Sequence, residues 1–311
     1  MRQLPKFAFF EGKIVPFEEA KISVITHAFN FGTGAFGGIR GYWNAEQEQL
    51  YLFRVQDHYK RFLNSIKLLS MDLPYQLNDF INITLELIRK EDWREMIYIR
   101  PLVYIAEPIF EGPKWFGLHA EFTVFCYPSH GYVNNDEGAH VTISSWVRND
   151  DNAIPARGKI TGGYANSAFI KDDAVRAGYD EALVLNHEGH ISEGSAENVF
   201  MVKDGILVTP PVTENILEGI TRRTVIELAK SELGIQVVER PIDRTEVYVC
   251  DELFLTGTAA QITAIAKVDH HPIGSGTMGP VVTRIRELFH AAAEGRLDKY
   301  HDWVTPVYTK N

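Results

Sequence analysis

Short apolar, β-branched and aromatic runs dominate the chain up to residue 127. FAFF and KIVPF flank a Glu11-Gly12 turn, and this pattern predicts a β-hairpin. The runs ISVIT, LYLFR, MIYIRPLVYI and EFTVFCY have the length and composition of further strands. Two helices are predicted among them. The apolar residues of Val55–Ser70 recur with the helical period, and Asn78 is the expected N-cap of a helix that runs to Lys90.

The second half of the chain also mixes strands and helices. Strands are predicted at VTISSWV, DEALVLN, NVFMVKDGILVTP (a hairpin about Asp204-Gly205), IQVVER, DELFLTGT and ITAIAKV. Helices are predicted at Tyr164–Ala177, Gly219–Leu233 and Val281–Ala293. Because hairpins and helices are interspersed without strict strand–helix–strand alternation, the pattern favours an α+β fold.

The stretch PSHGYVNNDEGAH, near residues 128–140, is polar and rich in turn-forming residues, which indicates a linker. We therefore predict a small N-terminal α+β domain at residues 1–130, an interdomain linker at 131–138 and a larger C-terminal domain at 139–311. A chain of 311 residues is long enough for about two domains.

Composition and charge exclude several classes of protein. The chain is 45% hydrophobic, and its 31 basic and 41 acidic residues give a net charge of −10. Without a basic cluster, nucleic-acid binding is not expected. No apolar run approaches the roughly 18 residues that span a bilayer, and the N-terminus does not resemble a signal peptide. Cys126 and Cys250 lie in apolar surroundings and are expected to be buried, reduced thiols of a cytoplasmic protein.

The segment from Gly32 to Gly37 matches the dinucleotide-binding pattern G-x-G-x-x-G, and Asp57 follows about 20 residues later. That function needs a helix at the third glycine. Gly38 and Gly41 follow instead, and each glycine costs about 1 kcal/mol in a helix. We therefore expect an extended segment whose backbone lies close to another group.

Histidines give little indication of a metal site. His187, His190 and the pair His270-His271 lie in turn-like sequence and lack the i, i+4 spacing of helical zinc ligands. We expect them to be solvated, and no metal is predicted.

Three separate segments carry candidate chemistry. Lys159 stands among small residues before a helix, where a desolvated amine can act as a Schiff-base nucleophile. Glu193 and Glu197 are two carboxylates four residues apart in an otherwise apolar turn. Gly219 precedes a helix whose free N–H groups suit a phosphate. Taken singly, each segment is also compatible with an ordinary solvated turn or helix start. Together they match the needs of pyridoxal phosphate (PLP).

The chain resembles the branched-chain amino acid aminotransferases of the fold-type-IV PLP enzymes. The resemblance is carried, in order along nearly the whole chain, by THAFNFGTGAFGGIRGY, HYKRF, YIRPL, ISSWVRN, the lysine segment, GHISEGSAENVF, LEGITRR and FLTGTAAQIT. It implies a small N-terminal α/β domain and a larger pseudo-barrel domain. It also implies ping-pong transamination between leucine, isoleucine or valine and 2-oxoglutarate, through a Lys159 aldimine.

The resemblance further implies roles for individual residues. Lys159 is the catalytic residue, and Glu193 is the partner of the pyridine nitrogen. The remaining cofactor-binding positions are Arg61, Tyr164, Glu197, Asn198, Leu217, Gly219, Ile220, Thr221 and Thr258. The substrate-binding positions are Phe31, Phe36, Gly37, Gly38, Arg40, Tyr98, Arg100, Ile109, Ser129, Thr258 and Ala259. Amino acids and 2-oxo acids are the expected partners, together with a second subunit in a homodimer or larger oligomer with shared active sites.

The chain departs from the family pattern at three positions. Phe31 replaces a usual Tyr, Gly37 a Glu and Ser129 a Trp, which predicts a wider pocket that accepts aromatic donors or (R)-amines. The alternatives are a D-amino acid or (R)-amine transaminase, an aminodeoxychorismate-lyase-like enzyme, and a non-catalytic protein of the same fold. D-amino acid aminotransferases and aminodeoxychorismate lyases usually carry F-G-D-G where this chain has F-G-T-G, and an intact Lys159 with Glu193 argues against a non-catalytic protein.

Overall fold

The structure is a computed structural model that describes residues 3–109, 112–129 and 138–308. These residues form two compact units. The first unit contains the described residues up to Ser129, together with Gly158–Gly162 and the residues from Ala291 onward. The second contains the described residues from Gly138 to Arg157 and Gly163–His290.

The first unit is built on an antiparallel sheet of eight described strands. Its strands are β1 (Phe7–Phe10), β2 (Lys13–Pro16), β3 (Gly34–Phe36), β4 (Ile39–Asn44), β5 (Gln49–Phe53), β6 (Ile97–Ile105), β7 (Ala120–Pro128) and, near the C-terminus, β17 (Val304–Pro306). Its helices are α1 (His27–Phe31), α2 (Val55–Leu68) and α3 (Leu77–Glu91). Within the described residues the sheet order is β17-β5-β4-β6-β7-β1-β2, and β3 pairs with β6.

Strand β6 shows why this sheet has two unlike faces. Because side chains alternate along a strand, Ile97, Ile99 and Val103 enter the core, where they are fully buried. Tyr98 and Arg100 therefore point to the opposite face. Helices α2 and α3 cover the core face with their apolar sides.

The second unit contains a larger sheet. Its strands are β8 (Ala139–Val147), β9 (Glu181–Leu185), β10 (Ile191–Gly194), β11 (Asn198–Lys203), β12 (Ile206–Thr209), β13 (Val237–Glu239), β14 (Glu252–Gly257), β15 (Gln261–Val268) and β16 (His271–Pro272). Its helices are α4 (Tyr164–Arg176) and α5 (Ile220–Glu232), and α6 (Pro280–Ala293) leads back into the first unit. The order over the described strands is β10-β9-β8-β15-β14-β11-β12-β13, with β16 paired to β15. Parallel pairs (β8 with β9 and β15, β12 with β13) stand among antiparallel ones.

Most predicted elements are confirmed, because their patterns are local. The two hairpins form, and their turns place Glu11, Gly12, Asp204 and Gly205 at positive φ, as two-residue hairpin turns require. Both cysteines are buried and free. Burial raises the pKa of the Cys250 thiol to about 12. The glycine-rich segment 32–41 is extended rather than helical at its third glycine.

Two local predictions are wrong. The run ISVIT is not a strand, and Ile22, Val24 and Ile25 are exposed in an irregular segment. Helix α3 begins at Leu77 with Gln76 as its N-cap, not Asn78, because the Asp79 carboxylate accepts a 2.8 Å hydrogen bond from the Gln76 backbone N–H.

The domain boundaries differ from the prediction at two places. Residues 139–311 do not all belong to one unit, because β17 pairs with β5 and Val307 is fully buried in the core of the first unit. Gly158–Gly162 also belongs to the first unit. The predicted linker 131–138 lies outside the described residues except for Gly138. Across the parts of the chain that the structure describes, no helix combines the length and apolarity needed to cross a membrane.

Candidate active site

The Lys159 backbone is held from two sides within the first unit. Its N–H donates to the Ser65 Oγ on α2 at 3.1 Å, and its carbonyl accepts from the Phe36 N–H on β3 at 3.0 Å. The half-buried side chain places Nζ 5.0 Å from the centroid of the Phe36 ring. Glycine at position 162 allows the lysine segment to lie close to the backbone of Gly32, because a Cβ at Gly162 would be 3.2 Å from the Gly32 carbonyl oxygen. The Lys159 backbone is therefore held in place, and its amine lies over the Phe36 ring.

Two predicted substrate residues adjoin Phe36 on the face of β6 that points away from the core. The Arg100 guanidinium carbon lies 4.5 Å from the Phe36 ring centroid, and Arg100 Nη2 donates to the Tyr98 hydroxyl at 3.3 Å. Gly38 makes room for that hydroxyl, because a Cβ at position 38 would lie 2.2 Å from it. Lys159, Phe36, Arg100 and Tyr98 thus form one cluster, with two cationic groups against one ring.

Gly37 does not leave the open space that its small size suggests. A Cβ at this position would meet the Pro101 Cγ at 2.6 Å, and the Gly37 N–H donates to the Pro101 carbonyl at 2.8 Å. The Pro101 ring therefore occupies the space beside the Gly37 Cα, and the wider pocket stays a prediction.

Arg40 is almost fully buried and donates at 2.9 Å to the backbone carbonyl of Ser129. The same terminal nitrogen lies 2.9 Å from the Met96 Sδ. Ser129 is held further by its N–H, which donates to the Met96 carbonyl at 3.0 Å. Through these contacts Arg40 supports the chain after β7, and its contact with substrate stays a prediction.

The other predicted residues of the first unit lie on α2 and at the surface. Arg61 is half-buried, one turn before Ser65, whose hydroxyl donates to the Arg61 carbonyl at 3.2 Å. Phe31 is 41% exposed at the end of α1, and Ile109 donates its N–H to the Ile25 carbonyl at 2.8 Å.

In the second unit, Glu193 is a buried carboxylate with donors on both oxygens. Its Oε1 lies 3.0 Å from Arg148 Nη2. Its Oε2 accepts from Asn198 Nδ2 at 3.0 Å and from the Leu217 N–H at 3.2 Å. A bulge in the pairing of β10 with β9 between Ile191 and Glu193 accompanies this inward position. The surrounding donors favour the ionised carboxylate.

Arg148 was not predicted as a functional residue, although ISSWVRN carried part of the resemblance. Besides Glu193, its Nη2 contacts the carbonyl oxygens of Gly194 at 2.7 Å and Ser195 at 3.2 Å. Its Nη1 lies 3.3 Å from Ser167 Oγ on α4. An arginine directly after a predicted strand was the available signal, but its partners are distant in sequence.

Glu197 is buried in the same region. Burial, the largest cause, and the negative charge of Glu181 together raise the pKa of its carboxyl to about 7. The Ala196 N–H donates to Glu197 Oε2 at 3.0 Å and acts against this shift. The alternative of two solvated, unpaired carboxylates is therefore wrong for both Glu193 and Glu197.

The start of α5 has the features of an anion site. Gly219 is its N-cap and provides no side-chain hydrogen bond, and the first turn carries no acidic residue. Its position requires a glycine, because a Cβ would lie 2.0 Å from Asn198 Oδ1. Ile220 and Thr221 are the first helical residues and are buried. Free N–H groups and the helix dipole at such a terminus favour a phosphate.

The remaining predicted residues of the second unit are half-buried: Tyr164 at the start of α4, and Thr258 and Ala259 in the turn between β14 and β15.

One histidine is not the solvated turn residue that was predicted. His190 is half-buried, and its Nδ1 lies 3.1 Å from Oε2 of the buried Glu214 and 3.7 Å from Oε2 of Glu188. His187, His270 and His271 are exposed as predicted. The Glu214 partner lies 24 residues away, so the local sequence could not reveal it.

The structure thus brings the predicted residues into two groups, one in each unit. The first comprises Lys159, Phe36, Gly37, Gly38, Tyr98 and Arg100. The second comprises Glu193, Glu197, Asn198, Leu217, Gly219, Ile220 and Thr221.

Comparison with known proteins assigns the chain to a family. Residues 34–268 match the family described as "Amino-transferase class IV". A probable branched-chain-amino-acid aminotransferase of Aquifex aeolicus is 47% identical over 304 residues, which cover 98% of this chain and 97% of the relative. A branched-chain aminotransferase from Thermoproteus uzoniensis, crystallised with norvaline, superposes with a TM-score of 0.93 at 40% identity and covers 98% of this chain and 100% of its own. The enzyme from Thermobaculum terrenum in its PLP form gives 0.93 at 38%, covering 98% and 99%. The chain therefore belongs to the class IV aminotransferases, within their branched-chain-amino-acid aminotransferase group.

Proposed function

We propose that this chain transfers amino groups between branched-chain L-amino acids and 2-oxoglutarate, with Lys159 as the catalytic residue. As a class IV aminotransferase it is a PLP-dependent enzyme, and its relatives act on branched-chain amino acids. The observation that carries the proposal for the site is the buried Glu193 carboxylate, whose partners favour its ionised form.

The donors in the second unit fit PLP. An ionised Glu193 suits the protonated pyridine nitrogen, which it keeps protonated. The N-terminus of α5, where the glycine cap leaves room for the Asn198 amide, suits the phosphate. Arg61 would add a cationic hydrogen-bond donor to the phosphate.

When bound, PLP supplies an electron sink that stabilises negative charge at the substrate Cα. Lys159 Nζ would bind the cofactor and then move a proton between the substrate Cα and the cofactor C4′. Its backbone hydrogen bonds to Ser65 and Phe36 hold the Lys159 Cα in place and so limit the positions that the amine can reach. Tyr164 would donate to the phenolic oxygen of the cofactor, and Asn198 would orient Glu193.

Substrate recognition is proposed for two groups of residues. Tyr98, with the Thr258-Ala259 turn, would bind the α-carboxylate. Arg100 would bind the side-chain carboxylate of glutamate or 2-oxoglutarate, because a guanidinium offers paired donors to a carboxylate. Phe36 would contact apolar side chains.

We also propose that the enzyme is at least a homodimer. An apolar stretch at residues 22–31 is exposed, and its members Ile22, Val24, Ile25, Phe29 and Phe31 range from 41% to 76% exposed. Such a patch is typical of an interface between proteins. Sedimentation should give a dimer or larger oligomer that Phe29→Asp weakens. Two free, buried cysteines support a cytoplasmic location.

The function is tested by half-reactions of the holoenzyme. L-Leucine and L-glutamate should each convert the bound aldehyde form of the cofactor to its amine form, and 2-oxoglutarate should reverse the change. A D-amino acid should leave the spectrum unchanged. Conversion by the D-amino acid in place of L-leucine would contradict the proposal.

A further inference from the structure

The Arg100 guanidinium belongs to the cluster of Lys159, Phe36, Arg100 and Tyr98. Among the described residues no carboxylate pairs with it, and its buried Nε has no hydrogen-bond partner. Its contacts are the Tyr98 hydroxyl at 3.3 Å, the Phe36 ring at 4.5 Å and the Tyr98 ring at 5.3 Å. Of the residues that the structure describes, two aromatic rings and one hydroxyl thus stabilise this cation.

Binding both leucine and glutamate in one pocket places opposite demands on Arg100. Its permanently charged guanidinium can bind the glutamate carboxylate, but a leucine side chain displaces water from the guanidinium and provides no hydrogen-bond acceptor, so the charge is desolvated without compensation. The ring face of Phe36 offers a compensating attraction, since aromatic faces attract cations within about 6 Å.

We propose that Phe36 is a specificity-determining residue, which acts by holding the Arg100 guanidinium on its ring face while an apolar side chain occupies the pocket. A substrate carboxylate then competes with the ring for the same guanidinium. This inference rests on the proposed function, because it assumes that Arg100 is the group that binds the glutamate side chain.

The Phe36 ring is well placed for this role. Phe36 is 7% exposed, its N–H donates to the Lys159 carbonyl, and β3 pairs with β6 through Phe36 and Leu102. The Phe36 backbone is thus held by the lysine segment on one side and by β6 on the other, and burial restricts its ring. Lys159 Nζ also lies 5.0 Å from the ring. An effect through Lys159 would change the rates with both donors equally, whereas an effect through Arg100 would change their ratio.

The test is the ratio of kcat/KM for L-leucine to kcat/KM for L-glutamate in the holoenzyme. Phe36→Leu should lower this ratio about fivefold, which corresponds to about 1 kcal/mol of cation–π attraction. Phe36→Tyr keeps the aromatic face and should retain the wild-type ratio. An unchanged ratio in Phe36→Leu, or an equal loss with both substrates, would overturn the proposal.

A double-mutant cycle separates the ring's action on Arg100 from direct contact with leucine. In the Arg100→Met background, which still turns over L-leucine, Phe36→Leu should leave kcat/KM for L-leucine unchanged. A fivefold effect that persists there would place the ring against the substrate itself and contradict the proposal. Calorimetric titration of the holoenzyme variants with glutarate and with 4-methylpentanoate gives a readout independent of turnover. Phe36→Leu should weaken binding of the second relative to the first.

The outcomes also distinguish this inference from the proposed function. If Arg100→Met retains full activity with glutamate, the assignment of Arg100 fails and the inference fails with it. If Arg100→Met loses that activity while Phe36→Leu leaves the ratio unchanged, the function stands and only the inference about Phe36 is refuted.

Discussion

Arg148→Met removes the cation beside Glu193 and keeps an unbranched apolar stem of similar length. Both side chains of this ion pair are less than 10% exposed, so water cannot solvate the carboxylate that is left. Breaking one side of a buried pair costs about 3–5 kcal/mol. The Asn198 and Leu217 donors remain on Oε2, so we expect a loss of about 3 kcal/mol in the free energy of unfolding.

Glu193→Gln leaves Arg148 without its anion and should cost about 2 kcal/mol. The double variant removes both charges, and its cost should be about 2 kcal/mol less than the sum of the single costs. Urea unfolding, followed by circular dichroism and checked for refolding, gives the free energy of unfolding of the cofactor-free wild type, both single variants and the double variant. Because the pair is buried, added NaCl should change the coupling little. Additive costs, with a coupling near zero, would refute the assignment of Arg148 as the charge partner of Glu193.

Further predictions concern the surroundings of the same groups. Because the pKa of Glu197 is raised to about 7 in the folded protein, protons bind the folded state more tightly, so its contribution to stability falls as the pH rises from about 4.5 to 7. Glu197→Gln should flatten this dependence in unfolding curves measured across that range, and an unchanged slope would contradict it. Gly219→Ala should displace Asn198 and weaken PLP binding at least tenfold in a fluorescence titration, and wild-type affinity would contradict the 2.0 Å clash. Ser65→Ala leaves the Lys159 N–H without its partner and should cost about 1–2 kcal/mol in urea unfolding, while Ser65→Thr keeps the hydroxyl and should cost less; equal losses would argue against the hydrogen bond.

Local signals allowed much of the fold to be predicted. The hairpin turns at Glu11-Gly12 and Asp204-Gly205 depend on two adjacent residues, and helical periodicity is visible within a single segment. ISVIT has the composition of a strand, but its apolar residues are exposed, so composition did not determine its structure. The return of Val307 to the first unit depends on pairing across some 250 residues, which no local pattern encodes.

The site divides in the same way. Lys159 and Glu193 were predicted because their neighbours are unusual for solvated residues, and the family resemblance supplied their roles. Arg148 was missed because its partner Glu193 is 45 positions away and contact depends on the packing of β8 and β10. Gly37 suggested an enlarged pocket, but the Pro101 ring that fills the space lies on another strand. The wider pocket itself stays a prediction, which conversion of the bound cofactor by (R)-1-phenylethylamine in the half-reaction would test.

The covalent role of Lys159 is tested most directly by borohydride reduction of the PLP-loaded protein followed by peptide mass mapping. Wild-type protein and the Lys67→Ala control, which removes an exposed lysine of α2, should carry one pyridoxyl group on Lys159. Lys159→Ala should carry none and should not convert L-leucine. A pyridoxyl group on another lysine of the wild-type protein, or turnover by Lys159→Ala, would contradict the account.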